Sequence, residues 1–234
     1  KGEISTPTFG RYCLFVAFFP QLIAGPIVRC QRLMPQLVAG ALGKLSRETL
    51  WSGLCLFSLG LFKKTCLADG VRPLADEVFA AAQDGTILSL AEAWTGATAF
   101  GLQIYFDFSA YSEMALGLGL FFGLRLPLNF DSPYKATNII EFWRRWHVTL
   151  SYWLRDYVYF KMGGRESYAR NIIILFGLVG LWHGAGWNFV LWGFYHAFWV
   201  LMYHFCKRWW DPLPRVLQIW LTFVIVSLGW PLFH

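Results

Sequence analysis

The chain has 234 residues, of which 56% are hydrophobic and 15% are charged, against roughly a quarter charged in a typical soluble domain. Aromatic residues make up 19% of the chain, and the mean hydropathy is +0.44. A globular core in a chain of this length cannot enclose so much apolar surface, so the composition excludes a soluble domain as well as a disordered chain. We therefore expect a lipid bilayer to be its solvent.

The net charge of +6 does not indicate nucleic acid binding, because the basic residues lie at the ends of apolar runs rather than along one polar face. The five cysteines have no metal-ligand spacing, and we expect neither a disulfide nor a metal site from them. The chain begins without Met and stops directly after an apolar run. We expect a single membrane domain over 1–234, as a fragment truncated at both ends.

Apolar runs of suitable length predict about seven membrane segments along the chain. In chain order the runs are 11–28, 49–68, 90–106, 108–124, 171–206 and 216–233, of which the fifth is long enough for two segments. Pro20 and the pair Gly25-Pro26 predict that the first run is a broken helix. Asp107 separates the third run from the fourth, and we expect one of these two to be an incomplete crossing.

Residues 125–170 differ from the apolar runs, because they carry eight basic and four acidic side chains. The positive-inside rule places this stretch on the cytoplasmic side of the membrane. Within it, Asn138 and Glu141 form a capping-box pattern that predicts the start of a helix over 138–160. One face of this helix is aromatic and the other charged, so we expect an amphipathic helix lying in the membrane interface.

His147 falls on the boundary between these two faces. Periodicity alone leaves two interpretations, an interfacial histidine without chemistry or a functional group. The same holds for Arg144 and Arg145, which are either headgroup anchors or ligand contacts.

A second histidine lies where a polar side chain is costly. The run Asn171–Cys206 contains no Asp, Glu, Lys or Arg, and as one helix it would be about 54 Å long against a hydrocarbon core of about 30 Å. We expect it to break at Gly184-Ala185-Gly186, next to His183. An ionisable side chain at membrane depth indicates function, and desolvation favours the neutral, proton-accepting imidazole. The alternative is a structural hydrogen bond to a neighbouring helix.

Four other polar side chains are expected to be structural. Asp107 and Glu113 lie within or beside apolar segments, where we expect them to bond helix breaks or nearby arginines rather than to act in catalysis. His196 and His204 are eight positions apart on one predicted helix, and we expect both to have packing roles.

Three short motifs follow one another in the second half of the chain. They are Phe142-Trp-Arg-Arg-Trp-His147, Ser151-Tyr-Trp-Leu-Arg-Asp-Tyr157 and Leu181-Trp-His-Gly184. Together they resemble the membrane-bound O-acyltransferase family. The segments Phe19–Arg29, Tyr105–Ser109 and Leu126–Phe130 are similar to its bacterial alginate O-acetyltransferase branch. The resemblance covers nearly the whole chain in the right order.

The resemblance implies an all-α, polytopic membrane fold of broken and interfacial helices around a central funnel or tunnel. It implies transfer of an acetyl or other acyl group from a thioester to a hydroxyl. His183 matches the family's histidine in the hydrophobic segment, and His147 matches its partner position. These two are the candidate catalytic residues, with His183 as general base and His147 as the group that orients the donor or stabilises the oxyanion. We expect both rings to line one aromatic cavity.

The resemblance also implies the substrates and their location. The donor would be acetyl-CoA or another acyl thioester, with no tightly bound cofactor and no metal. The acceptor would be alginate, another extracytoplasmic polysaccharide or an accessory periplasmic acetyltransferase, beside a bacterial inner membrane that the chain crosses several times. The candidate substrate-binding residues are Trp143, Arg144, Arg145, Trp146, Ser151 and Trp182.

A polytopic transporter or scaffold is the alternative function class. In such a protein His183 would be a proton-relay or packing residue, and broken helices would be equally expected. A second histidine on an interfacial helix favours the acyltransferase, because a channel does not need it.

Overall fold

A computed structural model describes residues 7–234. Within that range the protein is helical, with ten α-helices and no β-strand, so the all-α fold class is confirmed. The α-helices are α1 Phe9–Ala17, α2 Cys30–Val38, α3 Arg47–Phe62, α4 Asp69–Gln83, α5 Leu90–Phe121, α6 Ile139–Arg145, α7 Val148–Leu154, α8 Tyr168–His183, α9 Trp187–Trp210 and α10 Arg215–Gly229. One π-helical segment, Lys63–Ala68, joins α3 to α4, and another, Arg155–Tyr159, follows α7.

The helices form two compact units. The first unit comprises the chain up to Gly70 together with Ile104–Asn129, and the second comprises Val71–Gln103 together with Phe130–His234. The long helix α5 contributes its first part to the second unit and the remainder to the first.

The first unit has a small apolar core, and its N-terminal helix is broken. Helix α1 ends at Ala17 and a short 3-10 turn, Phe19–Gln21, follows it, which confirms the predicted break. Pro20 lies at the start of that turn, where its missing N–H is not needed. The buried core residues are Phe18, Leu33, Met34, Leu37, Leu124 and Leu126.

Helices α3 and α5 of the first unit pack with their backbones close together. A Cβ placed on Gly60 would lie 2.6 Å from the carbonyl oxygen of Ala110 on α5, so this position requires glycine. Beyond it, Lys63 forms an ion pair with Glu113, and Lys64 forms one with Asp107 at 2.6 Å. Asp107 and Glu113 are therefore paired with lysines rather than with the arginines that we expected.

The structure corrects the prediction of a helix break at Asp107. Residues 90–106 and 108–124 were expected to be two segments divided at Asp107, but α5 runs through that position as a single helix of 32 residues. The Asp107 carboxylate faces Lys64 from the outer side of the helix, and its backbone does not interrupt the helix. The expected incomplete crossing therefore does not arise from a helix break.

The second unit contains an antiparallel pair of apolar helices, α8 and α9. Helix α8 ends at His183 and α9 begins at Trp187, so the predicted break at Gly184-Ala185-Gly186 is confirmed. Close packing of the pair depends on Gly193, where a Cβ would overlap the carbonyl oxygen of Phe176.

Two segments among the described residues are long and apolar enough to cross a bilayer, Trp187–Trp210 and Arg215–Phe233. The surface of the protein also carries many large apolar side chains. Trp187 and Val216, at the starts of these segments, are about four-fifths exposed. Extensive apolar surface of this kind is typical of a protein in contact with lipid.

Candidate functional site

Helix α6 begins with the capping arrangement that the sequence predicts. The Asn138 side chain accepts a hydrogen bond from the Glu141 backbone N–H at 2.8 Å, and Glu141 in turn accepts one from the Thr137 backbone N–H at 2.7 Å. The Glu141 carboxylate thus reaches one residue beyond the capping residue. Partial burial raises the pKa of Glu141, but the bonds from Thr137 and the ion pair with Arg145 outweigh it and hold that pKa below its usual value.

The continuous helix predicted over 138–160 is interrupted in the middle. Helix α6 ends at Arg145, α7 starts at Val148, and Arg155–Tyr159 is π-helical. The interruption lies at His147, whose φ of 44° and ψ of 54° are in the left-handed region that non-glycine residues rarely adopt. The two predicted faces therefore do not continue across 138–160.

Ser151 holds this interruption in place. Its hydroxyl donates a 2.9 Å hydrogen bond to the Trp143 carbonyl oxygen, four residues before the left-handed position. That carbonyl belongs to the last turn of α6, which cannot bond forward to α7. Ser151, a candidate substrate-binding residue, thus joins the two short helices that flank His147.

His147 is buried and electrostatically close to His183. Its side chain is 6% exposed. Burial is the larger cause that lowers the pKa of His147 to about 4, and the repulsion that a protonated His147 would meet from a protonated His183 is the smaller cause. The imidazole is therefore neutral at physiological pH, with one protonated and one unprotonated ring nitrogen. Backbone strain at a buried neutral histidine is a pattern found at functional sites.

His183 occupies the last position of α8, at the helix break. Its half-buried ring meets three aromatic rings, with centroid distances of 4.8 Å to Trp182, 4.9 Å to Phe233 and 5.3 Å to Trp192. The imidazole is thus held by aromatic walls from α8, α9 and the end of the chain. The two histidines that the sequence singled out lie close enough to interact electrostatically.

The three candidate tryptophans have different surroundings. Trp146 is 5% exposed and packs against core rings such as that of Trp230, at 5.1 Å. Trp143 lies between Phe176 and Trp192, at 5.4 Å and 5.6 Å. Trp182 is 63% exposed and touches His183 with its ring. Of the three, the exposed Trp182 is the one best placed to meet a ligand.

The neighbouring arginines also differ. Arg145 donates to the Glu141 carboxylate at 2.7 Å and to the Asp131 carbonyl oxygen at 3.1 Å, so its guanidinium ties α6 to the preceding loop. Arg144 is exposed and forms no ion pair with any described residue. Arg144 is therefore the guanidinium available to an anionic ligand.

Trp192, which packs between His183 and the buried His196, was not predicted from the sequence. Trp192 lies one helical turn before His196, and its ring contacts both His183 and His196. The spacing of four on α9, which puts both side chains on one face, was the available signal. Over residues 7–234, the cysteines form no disulfide and no three metal-ligating side chains come together.

Comparison with known proteins identifies the family. The model of the membrane-bound O-acyltransferase family matches residues 1–229. The chain belongs to this family. A peptidoglycan O-acetyltransferase of Helicobacter pylori is 44% identical to it over 231 residues, which are 95% of this chain and 43% of that protein.

Other membrane-bound O-acyltransferase relatives carry different names. A probable alginate O-acetylase of Azotobacter vinelandii is 41% identical over 95% of this chain and 44% of its own length. A teichoic acid D-alanyltransferase of Bacillus subtilis is 28% identical over 95% of this chain and 60% of its own length. The chain thus spans less than half the length of the first two relatives.

Proposed function

We propose that this chain carries the histidine site of an acyltransferase that moves an acetyl group from a thioester to a hydroxyl of a polysaccharide outside the cytoplasmic membrane. The observation that carries the proposal is the proximity of His147 and His183, which lie on different elements 36 positions apart in sequence. The membership of the chain in the O-acyltransferase family supports the reaction class.

His183 is the proposed general base. A hydroxyl attacks a thioester carbonyl poorly until its proton is removed, and a neutral imidazole accepts that proton. The hydroxyl oxygen then bonds to the carbonyl carbon, the carbon–sulfur bond breaks, and the proton passes to the leaving thiolate. The glycine break after His183 lets the Phe189 ring pack against the backbone there, because a Cβ on Gly184 would overlap that ring.

His147 is the proposed donor to the oxyanion. Because its imidazole is buried and neutral, it presents an N–H without bringing a full charge into the site. The left-handed backbone at His147 and the Ser151 bond to Trp143 fix the backbone from which that side chain projects. A tunnel that joins the two histidines to both membrane faces stays a prediction.

The proposed donor is acetyl-CoA or another acyl thioester reaching the site from the cytoplasmic side. Exposed Arg144 would contact its phosphates, and Trp182 would contact the arm that carries the thioester. The proposed acceptor is alginate, peptidoglycan or a related polymer, reached directly or through an accessory periplasmic acetyltransferase. The names of two relatives, a peptidoglycan O-acetyltransferase and a probable alginate O-acetylase, support a polysaccharide acceptor. The proposed location is a bacterial inner membrane that the chain crosses several times.

Thioester consumption by the full-length protein in proteoliposomes tests the proposal. We expect His183→Ala to abolish acetyl transfer, and the matched change His204→Ala on α9 to leave it near the wild-type rate. His147→Asn should retain more activity than His147→Ala, because an amide still donates a hydrogen bond. Near wild-type transfer by the His183→Ala protein would refute the general base, and a wild-type protein that consumes no thioester would favour a transporter or scaffold.

A further inference from the structure

His196 is an enclosed histidine that the proposed chemistry does not use. It lies on α9 with an exposed fraction of 0%, and neither ring nitrogen has a hydrogen-bond partner among the described residues. One ring edge faces α10, since a Cβ on Gly229 would lie 2.9 Å from the His196 Nε2 atom. A phenylalanine would fill similar space without leaving buried polar atoms, so the imidazole requires an explanation.

Two indole groups beside His196 are donors that lack an acceptor. The ring centroids of Trp143 and Trp192 lie 4.8 Å and 5.0 Å from that of His196. Both indole Nε1 atoms are buried, and neither has a hydrogen-bond partner within the described range. The hydroxyl of nearby Tyr195 donates to the Ile225 carbonyl oxygen.

The chemistry of these rings defines what they can do together. An indole N–H is only a donor, whereas a neutral imidazole has one bare nitrogen that accepts. Among His196, Trp143 and Trp192, His196 is therefore the side chain able to accept a hydrogen bond from an indole. Because the Trp192 and His196 rings are in contact, a rotation of the indole would turn its N–H towards the unprotonated nitrogen of His196.

We propose that His196 is a positioning residue: it accepts a hydrogen bond from the Trp192 indole and thereby fixes the Trp192 ring against His183. The Trp192 ring is 2% exposed and meets the two histidines nearly edge-on, with interplanar angles of 87° to His183 and 73° to His196. A rotation of Trp192 would change the wall against which the His183 ring rests. This inference rests on the proposed function, because it acts through His183.

The first test is spectroscopic and does not require activity. Full-length protein labelled with ¹⁵N in the tryptophan indoles is examined in detergent, and the Trp192 signal is assigned by its loss in Trp192→Phe. We expect His196→Phe to shift the Trp192 indole resonance and His196→Gln, whose amide oxygen still accepts, to restore most of its position. His204→Phe on the same helix, where the ring meets Tyr168 at 4.8 Å, is the matched control and should leave the resonance in place.

The second test is kinetic, with the same variants in proteoliposomes and an acyl thioester as donor. We expect His196→Phe to lower kcat about tenfold with unchanged donor KM, because a displaced wall misaligns the base. His196→Gln should recover most of kcat. In a Trp192→Phe background, where the donating N–H is already lost, His196→Phe should have no further effect on kcat.

The outcomes separate the two proposals. An unmoved Trp192 resonance in His196→Phe, or a shifted resonance with wild-type kcat, overturns the positioning role. Equal losses of kcat in His196→Phe and His196→Gln also overturn it, because packing rather than hydrogen bonding would then matter. A shifted resonance in a protein whose wild type consumes no thioester would leave the hydrogen bond established and refute the proposed function instead.

Discussion

In the first unit, lysines beside α3 face carboxylates on α5, whereas in the second unit His196 and the indoles of Trp143 and Trp192 are buried with no hydrogen-bond partner among residues 7–234. Both arrangements place polar atoms among apolar helices, where each unpaired group costs free energy. At Lys63 and Lys64 the first unit offsets that cost with ion pairs, which fit a structural role. In the second unit the unpaired atoms lie next to the wall of His183, where the hydrogen bond proposed between Trp192 and His196 would serve the candidate site.

The largest effect is expected from breaking the ion pair between Lys63 and Glu113 in the first unit. Glu113→Leu leaves the ammonium of Lys63 without its carboxylate, and both side chains are about one-fifth exposed. We expect the free energy of unfolding to fall by about 3 kcal/mol, at the low end for a buried pair. The midpoint of thermal unfolding in detergent measures this loss.

Two further variants sharpen this prediction. The double change Lys63→Met with Glu113→Leu should recover most of the lost stability, because no charge is then left unpaired. Arg72→Gln, which breaks the exposed ion pair with Asp76, should change stability by less than about 1 kcal/mol. Equal losses of stability from Glu113→Leu and Arg72→Gln would show that burial does not increase the contribution of the Lys63–Glu113 pair.

A smaller effect is expected from the pH dependence of the second unit. The pKa of His147 is about 4 in the folded protein, below its ordinary value of 6.5, so the unfolded chain binds the proton more tightly. The stability due to the neutral imidazole is complete above pH 6.5 and is lost as the pH falls from 6.5 towards 4. Between pH 7 and pH 5 we expect a loss of about 2 kcal/mol from this group.

His147→Asn provides the comparison, because an amide does not titrate in this range. Thermal unfolding of both proteins at pH 7 and pH 5 should show the variant losing less stability on acidification. An identical loss in the two proteins would mean that folding does not lower the pKa of His147, and would contradict its burial as a neutral imidazole.

The smallest effects are expected from the two arginines at the end of α6. Arg145→Gln removes the bonds to Glu141 and Asp131 and should lower the free energy of unfolding by about 1 kcal/mol. Arg144→Gln should leave stability unchanged and raise the donor KM severalfold, if a guanidinium contacts the donor phosphates. Unfolding midpoints and donor titrations of both variants measure the difference, and the reverse assignment of the two effects would contradict the site geometry.

The sequence predicts the helix ends that local chemistry determines. Glycines produce the break directly after His183. The side chains of Asn138 and Glu141, three positions apart, produce the start of α6. The continuity of α5 through Asp107 was missed, because the compensating Lys64 is distant in sequence. An ion pair between two helices leaves no pattern in the local sequence from which it could be predicted.

The interruption at His147 could not be predicted for a related reason. No glycine or proline lies between Phe142 and Ser151, and the aromatic and charged residues there are compatible with one helix. The left-handed conformation is maintained by burial and by the Ser151 bond to the preceding helix, which are tertiary features. The histidine pair could be proposed from motifs, whereas Trp192 and His196 gained their places only from the packing of α9 against α6 and α8.

The position of His183 as the last residue of α8 has a further electrostatic consequence. The peptide dipoles of a helix add up to a partial negative charge at its C-terminal end, where the final carbonyl groups have no N–H partners in the helix. If His183 takes a proton from the attacking hydroxyl, the imidazolium forms directly against this end of α8. The helix backbone itself would then stabilise the transient positive charge, by roughly 0.3–1 kcal/mol in exposed cases and more where water is excluded.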